Sequence, residues 1–128
     1  MKYHTAKRRK STDRLVETRK ILAARCLGAC EHCGMTLPVN EAGDPVFALH
    51  HRQARTQGGG DGPENCMATA HPHHNVQPGS IHQEPRLSVT RGWIVPRGQD
   101  PATTPVLIAG RLCLLSADGG VQVLDEVA

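Results

Sequence analysis

The chain has 128 residues, enough for one domain with a modest hydrophobic core, and its aromatic residues are limited to Trp93, Tyr3 and Phe47. No apolar run reaches the roughly 18 residues of a membrane span, and no signal peptide with an apolar core is seen, so a soluble, cytoplasmic protein is expected. Five cysteines, an odd number that includes a Cys-x-x-Cys pair, favour metal binding in a reducing compartment over a disulfide framework.

The net charge of +3 is unevenly distributed along the chain. Residues 1–25 hold nine Lys or Arg against two acidic residues, whereas the remainder carries a net charge of −4. A concentrated basic segment favours a polyanionic partner, with nucleic acid as the first candidate. A solubilising tail is the alternative interpretation of the same charges.

Residues 1–25 are predicted to form a basic arm followed by a helix. Residues 1–11 are expected to be flexible, and the Ser-Thr-Asp run that follows offers helix N-caps. Apolar residues at helical spacing then predict a helix from about residue 13 to residue 25, with one apolar and one basic face. Gly28 is expected to end the helix.

The central part of the chain opens with a Cys-x-x-Cys pair. Cys30 and Cys33 are predicted to lie in a tight turn suited to a structural zinc ion. Residues 46–51 have the composition and length of a strand, and the glycine-rich residues 52–63 are expected to form a loop. A proline at an early position then predicts a short helix over about residues 63–76.

Residues 85–128 are predicted to form a small antiparallel β hairpin or sheet, an appendage to which no chemistry is assigned. The Asp-Gly-Gly run at 118–120 is a hairpin signal. Trp93 is expected at the hydrophobic centre of this sheet, and Cys113 within one of its strands. The short β-like runs are 87–90, 93–96, 106–108, 111–116 and 121–124.

Six of the eight histidines lie within 33 residues, from His50 to His82. Histidine is kept mostly where a metal ligand or a proton carrier is needed, so this cluster is the first candidate for a functional site. The remaining two histidines, His4 and His32, are expected to face solvent.

His50, His51, Asn65 and His74 are interpreted as one catalytic group. Adjacent side chains on a strand point to opposite faces, so one imidazole of the pair can bind a metal while the other acts elsewhere. Phosphodiester hydrolysis needs a general base for water and a cation for the developing charge, and neutral imidazole suits the base. The amide of Asn65 could hold that imidazole in orientation through a hydrogen bond.

These residues resemble the His-Asn-His (HNH) endonuclease family. The resemblance rests on the Leu-His-His-Arg run at 49–52, a Gly-Gly loop, Asn65, and His74 nine residues later, and it covers roughly residues 26–84. The segment is also similar to small HNH proteins of bacteriophages and actinobacterial prophages. The family fold implies an α+β protein with a ββα-metal (His-Me finger) core, in which a hairpin and a following helix clamp one metal ion.

Carried over by position, the resemblance implies that His51 is the general base and that Asn65 orients it. His50 and His74 would be ligands of the catalytic metal. Mg²⁺ or Mn²⁺ is expected there, although Zn²⁺ or Ni²⁺ also suits an imidazole-rich site.

Two further assignments depart from or extend the family pattern. The third metal ligand often lies one helical turn past the second, where this chain has Pro78, and His82 is assigned to that role after a short insertion. Arg52 or Arg55 is expected to contact the DNA phosphates.

The structural zinc site is also incomplete by comparison with the family. Many members have a second Cys-x-x-Cys after the asparagine, at positions that hold Ala70 and His73 in this chain. Tetrahedral Cys2His2 zinc is chemically ordinary, so other side chains can complete the site of Cys30 and Cys33. The candidates are His71, His73 and Cys66.

The sequence therefore predicts a metal-dependent HNH endonuclease that hydrolyses DNA and contains a structural Zn²⁺. The phage resemblance implies the host cytoplasm as the location and a large terminase subunit as a candidate partner. The alternative is a non-catalytic, zinc-stapled nucleic-acid-binding or phage-packaging adaptor. A thiol redox protein built on the Cys-x-x-Cys pair is disfavoured, because the pair lacks a βαβ context.

Overall fold

The computed structural model describes residues 6–71 and 80–125, with side chains described over 13–71 and 80–124. The protein has an α+β fold, and within these ranges no helix is long and apolar enough to cross a membrane. Two antiparallel sheets are present in the described part of the chain, one of two strands and one of three. The elements are α1 (Ala6–Arg25), β1 (Ala48–His51), β2 (Cys66–Thr69), α2 (Pro85–Thr90), β3 (Val106–Ile108), β4 (Arg111–Leu115) and β5 (Val121–Asp125).

Helix α1 begins earlier than predicted. It starts at Ala6, so the residues from 6 to 11 that were expected to form a flexible arm are helical. Alanine, lysine and arginine all have high helix propensity, which explains why the basic stretch continues the helix. The helix ends at Arg25 and is followed by Gly28 in the left-handed conformation, with φ of 78°. The predicted stop at Gly28 is confirmed.

Strand β1 lies within the predicted strand, whereas β2 was not predicted. The helix expected over 63–76 is wrong at its start, because Pro63–Asn65 form a single 3-10 turn and Cys66–Thr69 then pair antiparallel with β1. All four residues of β2 are buried. A strand that is covered on both faces shows no alternation of apolar and polar residues, so its sequence resembles that of a short buried helix.

A first hydrophobic core lies between α1, the Cys-x-x-Cys turn and β2. At its edge, the buried side chains of Arg25 and Glu31 form an ion pair with two contacts of 2.8 and 2.7 Å. Arg25 also donates to the carbonyls of Pro63 and Cys66, and Glu31 accepts from the amide of Ala68. This pair therefore joins the end of α1 to the Cys-x-x-Cys turn and to β2. The core residues are Leu22, Cys26, Cys30, Leu37, Cys66, Ala68 and Ala70.

The C-terminal segment contains one helix where a strand was expected. Residues Pro85–Thr90 are helical, with a proline in the first turn, and residues 93–96 are irregular rather than extended in a sheet. The buried Ser88 hydroxyl donates to the carbonyl of Ile81, which ties α2 to the preceding turn. The three later strands are confirmed, in the order β3-β4-β5, and the Asp-Gly-Gly turn joins β4 to β5.

The C-terminal segment is packed on the rest of the protein, so describing it as an appendage was wrong. A second core unites Met67 of β2 with Val106 and Leu115 of the three-stranded sheet. Trp93 belongs to this core, as predicted, with its indole nitrogen donating to the carbonyl of Leu107 at 2.7 Å. The ring of His32, which was expected to face solvent, instead stands edge-on to Trp93 with the ring centroids 4.1 Å apart.

Candidate metal and phosphate site

The two adjacent histidines of β1 face different parts of the molecule. His50 is 2 % exposed and contacts the C-terminal segment. The side chain of His51 is 22 % exposed and contacts the glycine-rich loop. This divergence follows from the alternation of side chains along a strand, and it allows the two imidazoles to have different roles.

One partner of the His50 ring is a main-chain carbonyl. Its Nε2 lies 2.6 Å from the carbonyl oxygen of Trp93. A carbonyl can only accept, so Nε2 carries a proton. A bond from one ring nitrogen to a protein acceptor is common among metal-ligating histidines.

His82 lies beside His50, as the metal-site prediction requires. The two rings are 5.5 Å apart between centroids and inclined at 77°. His82 is exposed, so its ring stands at the surface next to the buried His50. Two of the three predicted ligands are therefore neighbours in space, and the third, His74, lies outside the described residues.

His51 is bonded to a carboxylate that the sequence interpretation did not single out. Its Nε2 lies 2.8 Å from Oδ1 of Asp61. Arg55 contacts the same carboxylate oxygen through Nη2 at 2.9 Å and Nε at 3.1 Å. The side chain of Arg55 is 54 % exposed, so it is accessible to a phosphate while paired with Asp61.

Asn65 acts on the loop backbone and does not bond to His51. Its Oδ1 accepts from the amide of Gln53 at 2.7 Å, and its Nδ2 donates to the carbonyls of Gln53 and Gly60 at 3.0 and 2.8 Å. Both amide hydrogens are thus used, and the predicted orienting bond from Asn65 to His51 is wrong. Asn65 instead joins Gln53, at the start of the loop, to Gly60, which is the residue directly before Asp61.

A glycine permits this closure of the loop. A Cβ at Gly59 would lie 1.9 Å from the carbonyl oxygen of Gln53, closer than any side chain allows. The loop between β1 and the 3-10 turn at Pro63–Asn65 therefore depends on glycine at this close approach.

Arg52 is a structural residue, and its predicted contact with DNA is wrong. The side chain is 1 % exposed and donates to the carbonyls of Gly92, Glu64, Pro101 and Thr104 over distances of 2.7 to 3.0 Å. Burial lowers its pKa to about 10, which leaves the guanidinium charged at neutral pH. Arg52 therefore connects β1 to the C-terminal segment.

The Cys-x-x-Cys turn is closed by a glycine and lies against the end of β2. The amide of Gly34 donates to the carbonyl of Cys30, and Gly34 has a φ of 83° that closes the turn. The amide of Ala70 donates to the Sγ of Cys30 at 3.2 Å. Partial desolvation raises the pKa of the Cys33 thiol, and the neighbouring Cys30 raises it further.

The remaining candidate zinc ligands are only partly within the described residues. His71 follows Ala70 directly and is exposed, whereas His73 lies outside the described residues. Cys66 is fully buried in β2, and burial raises its pKa to about 12, so it remains a neutral core thiol. Among residues 6–71 and 80–125, no group of three metal-ligating side chains is found.

A polar cleft of about 460 Å³ opens beside the glycine-rich loop. Arg14 of α1 lines it together with Asn65, and the Arg14 guanidinium is 2.9 Å from where a Cβ on Gly62 would stand. The buried hydroxyl of Thr18 donates to the main-chain carbonyl of Asp61. The basic helix therefore runs alongside the loop that carries the partner of His51.

A comparison with protein-family models finds no match, and a search of curated proteins finds no significant relative. A function for this protein is therefore inferred from its own residues. The two contacts that sequence interpretation missed are the Asp61 carboxylate and the Trp93 carbonyl. For the Asp61 carboxylate, the available sequence signal was the Gly-Asp-Gly run at 60–62. For the Trp93 carbonyl there was no signal, because every residue has a main-chain carbonyl.

Proposed function

We propose that this protein is a metal-dependent endonuclease of the HNH type, with a ββα-metal core, that hydrolyses DNA phosphodiester bonds. One observation carries the proposal. The paired histidines of β1 are held by different partners, and the ring of His82 stands 5.5 Å from the ring of His50. A buried imidazole beside a second imidazole fits a divalent cation, and the adjacent, more exposed imidazole fits a base.

The cation would be held by His50 through Nδ1, by His82, and by His74. A bound divalent cation supplies charge neutralisation at the phosphate and at the leaving oxygen. Mg²⁺ or Mn²⁺ suits this role, and Zn²⁺ or Ni²⁺ suits the imidazole ligands. The fit rests on the bond of His50 Nε2 to a protein acceptor, as in metal-ligating histidines, and on the neighbouring ring of His82.

His51 would remove a proton from the attacking water. An ionised Asp61 accepts from Nε2 of His51, so the lone pair of the neutral imidazole is on Nδ1. The carboxylate would hold the ring in the orientation that proton removal from water requires. Arg55, bonded to the same oxygen, fixes the carboxylate and leaves part of its own charge for a phosphate.

A structural zinc ion would be held by Cys30, Cys33, His71 and His73. The bond from the amide of Ala70 to the Cys30 sulfur supports this assignment, because it brings that sulfur next to the residue that precedes His71. This site would fix the start of the segment that follows β2.

DNA would be bound by the basic face of α1 and by Arg55. Arg14 lines the polar cleft, and Arg19 and Lys20 are exposed farther along the same helix, so α1 presents positive charge to the solvent. Contacts of this kind bind the phosphate backbone without reading bases, so binding should weaken as salt is raised.

The test is cleavage of supercoiled plasmid by the purified protein with Mg²⁺, Mn²⁺ or Ni²⁺. We expect nicking by the wild type and a loss of at least about 10²-fold in the His51→Ala variant, because the general base is removed. His4→Ala, which removes a histidine from the N-terminal segment, is the control and should cleave normally.

Two outcomes would contradict the proposal. Equal cleavage by wild type and His51→Ala would remove the proposed base. Salt-sensitive DNA binding with no cleavage under any of the metals would support the non-catalytic adaptor instead, including a role beside a large terminase subunit.

A further inference from the structure

The main chain of Asp61 is held on both sides of its Cα by buried side chains. The carbonyl of Gly60 accepts from Nδ2 of Asn65 at 2.8 Å, which holds the peptide before Asp61. The carbonyl of Asp61 accepts from the hydroxyl of Thr18, which holds the peptide after it. Asn65 is 2 % exposed and Thr18 is 1 % exposed. Because peptide units are planar, these two bonds together restrict φ and ψ of Asp61 and the direction of its side chain.

Glycines flank Asp61, so its main chain needs this support. Gly60 and Gly62 have no side chains to limit the backbone, and glycine has the greatest conformational freedom of any residue. Gly62 also permits a close approach of α1, since a Cβ there would lie 2.9 Å from Nη2 of Arg14. Arg14 lies one helical turn before Thr18, so α1 contacts this part of the loop at two successive turns.

The side chain that these bonds direct is the one in contact with His51. Oδ1 of Asp61 lies 2.8 Å from Nε2 of His51, and the Asp61 side chain is 11 % exposed. We propose that Thr18 is a positioning residue, which acts through the Asp61 main chain to hold the carboxylate against the imidazole. Helix α1 would then orient the candidate base in addition to binding DNA. The effect on cleavage rests on the proposed function, whereas the effect on the His51 ring is tested without metal or DNA.

Three variants separate this role from a general loss of packing. Thr18→Val replaces the hydroxyl with a methyl group, and Thr18→Ser keeps the hydroxyl. Thr69→Val makes the same change at another buried threonine, whose hydroxyl donates to the carbonyl of Ala48 at 3.2 Å. Ala48 is at the opposite end of β1 from His51. A general effect of losing a buried hydroxyl would therefore appear in both valine variants.

The first measurement follows the Nε2 proton of His51 by NMR in the metal-free full chain labelled with ¹⁵N-histidine. The signal is assigned by its loss in His51→Ala. We expect slow exchange with water in the wild type, Thr18→Ser and Thr69→Val, because the carboxylate protects the proton. In Thr18→Val the exchange should be about tenfold faster, since the bond to the carboxylate is weakened. The proposal would be overturned by an unprotected proton in the wild type, by unchanged exchange in Thr18→Val, or by the same acceleration in Thr69→Val.

The second measurement compares single-turnover cleavage of supercoiled plasmid with DNA affinity. Thr18→Val should cleave about tenfold to a hundredfold more slowly, because a small displacement of a reacting group has an effect of this size. Its DNA affinity should stay within about twofold of the wild type, because the basic side chains are unchanged. Thr18→Ser should recover most of the rate, and Thr69→Val should match the wild type. A wild-type rate in Thr18→Val would overturn its part in cleavage.

A double variant tests whether Thr18 acts through Asp61. In the Asp61→Asn background, Thr18→Val should lower the rate by less than about twofold, because the carboxylate that it positions is already absent. Losses that multiply independently would overturn the route through Asp61. Absence of cleavage by the wild type would overturn the proposed function, and the exchange of the His51 proton would then decide the positioning role by itself.

Discussion

His50 and His51 both use Nε2 toward a protein partner, but the partner of His50 is a neutral carbonyl and the partner of His51 is a carboxylate. Each uses Nε2, His50 toward the Trp93 carbonyl and His51 toward the Asp61 carboxylate. A neutral carbonyl fixes a tautomer without favouring charge, which suits a metal ligand. A carboxylate favours the protonated ring, which suits a base that gains a proton during the reaction.

The Asp61 carboxylate is accordingly the next residue to test. In Asp61→Asn, an amide can still bond to His51 but the negative charge is lost. We expect single-turnover cleavage to fall by about 10²–10⁴-fold with DNA affinity nearly unchanged, as when an orienting carboxylate is removed from a histidine base. The control is Asp44→Asn, in an exposed turn. A cleavage rate within twofold of the wild type would contradict the role given to Asp61.

At the residue scale, the sequence prediction can be compared with the structure where it named side chains. The rings of His50 and His82, both predicted to bind one cation, are 5.5 Å apart although 31 residues separate them, and their binding of a metal stays a prediction. Arg52 was assigned to DNA because a guanidinium suits a phosphate, whereas its burial depends on four carbonyls distant in the chain. Asn65 was given a partner of the wrong kind, since its amide pairs with backbone rather than with an imidazole.

At the scale of elements, the ion pair between Arg25 and Glu31 links α1, the Cys-x-x-Cys turn and β2. Both side chains are at most 3 % exposed, so neither charge is compensated by water. Removing one partner leaves a buried charge without its counterion, which costs more than the pair itself contributes.

Glu31→Gln should therefore lower the free energy of unfolding by about 3–5 kcal/mol, measured by urea denaturation. Glu41→Gln, on an exposed turn, is the matched control and should change it by less than about 0.5 kcal/mol. The double variant Arg25→Met with Glu31→Gln should lose less than the sum of the single losses, because neither charge is then left alone. A decrease of less than about 1 kcal/mol in the free energy of unfolding of Glu31→Gln would contradict this account of the ion pair.

The elements that were predicted well are those with local signals. The β4–β5 hairpin has Asp-Gly-Gly at its turn, and β1 has a length and composition typical of strands. The strand Cys66–Thr69 was missed because its side chains are covered on both faces by α1 and the C-terminal segment. That burial is a property of the assembled fold, and it produces no alternation of apolar and polar residues in the sequence.

At the scale of the molecule, two cores meet at β2. The first core lies under α1, and the second joins Met67 to Trp93 and the three-stranded sheet. The site lies along β1 and its loop, with α1 on one side and the Gly92–Trp93 peptide on the other. The partners of His50 and His51 therefore come from the C-terminal segment and from the loop, and Trp93 lies outside residues 26–84, to which the proposed nuclease core was assigned.

The measurement that tests the central claim most directly is a crystal structure of protein soaked in Mn²⁺, with the ion located by anomalous scattering. We expect one ion within bonding distance of His50 Nδ1 and a His82 nitrogen, with the imidazole of His51 facing the same opening. An ion found only on other residues, or His50 and His82 without an ion at saturating Mn²⁺, would contradict the account.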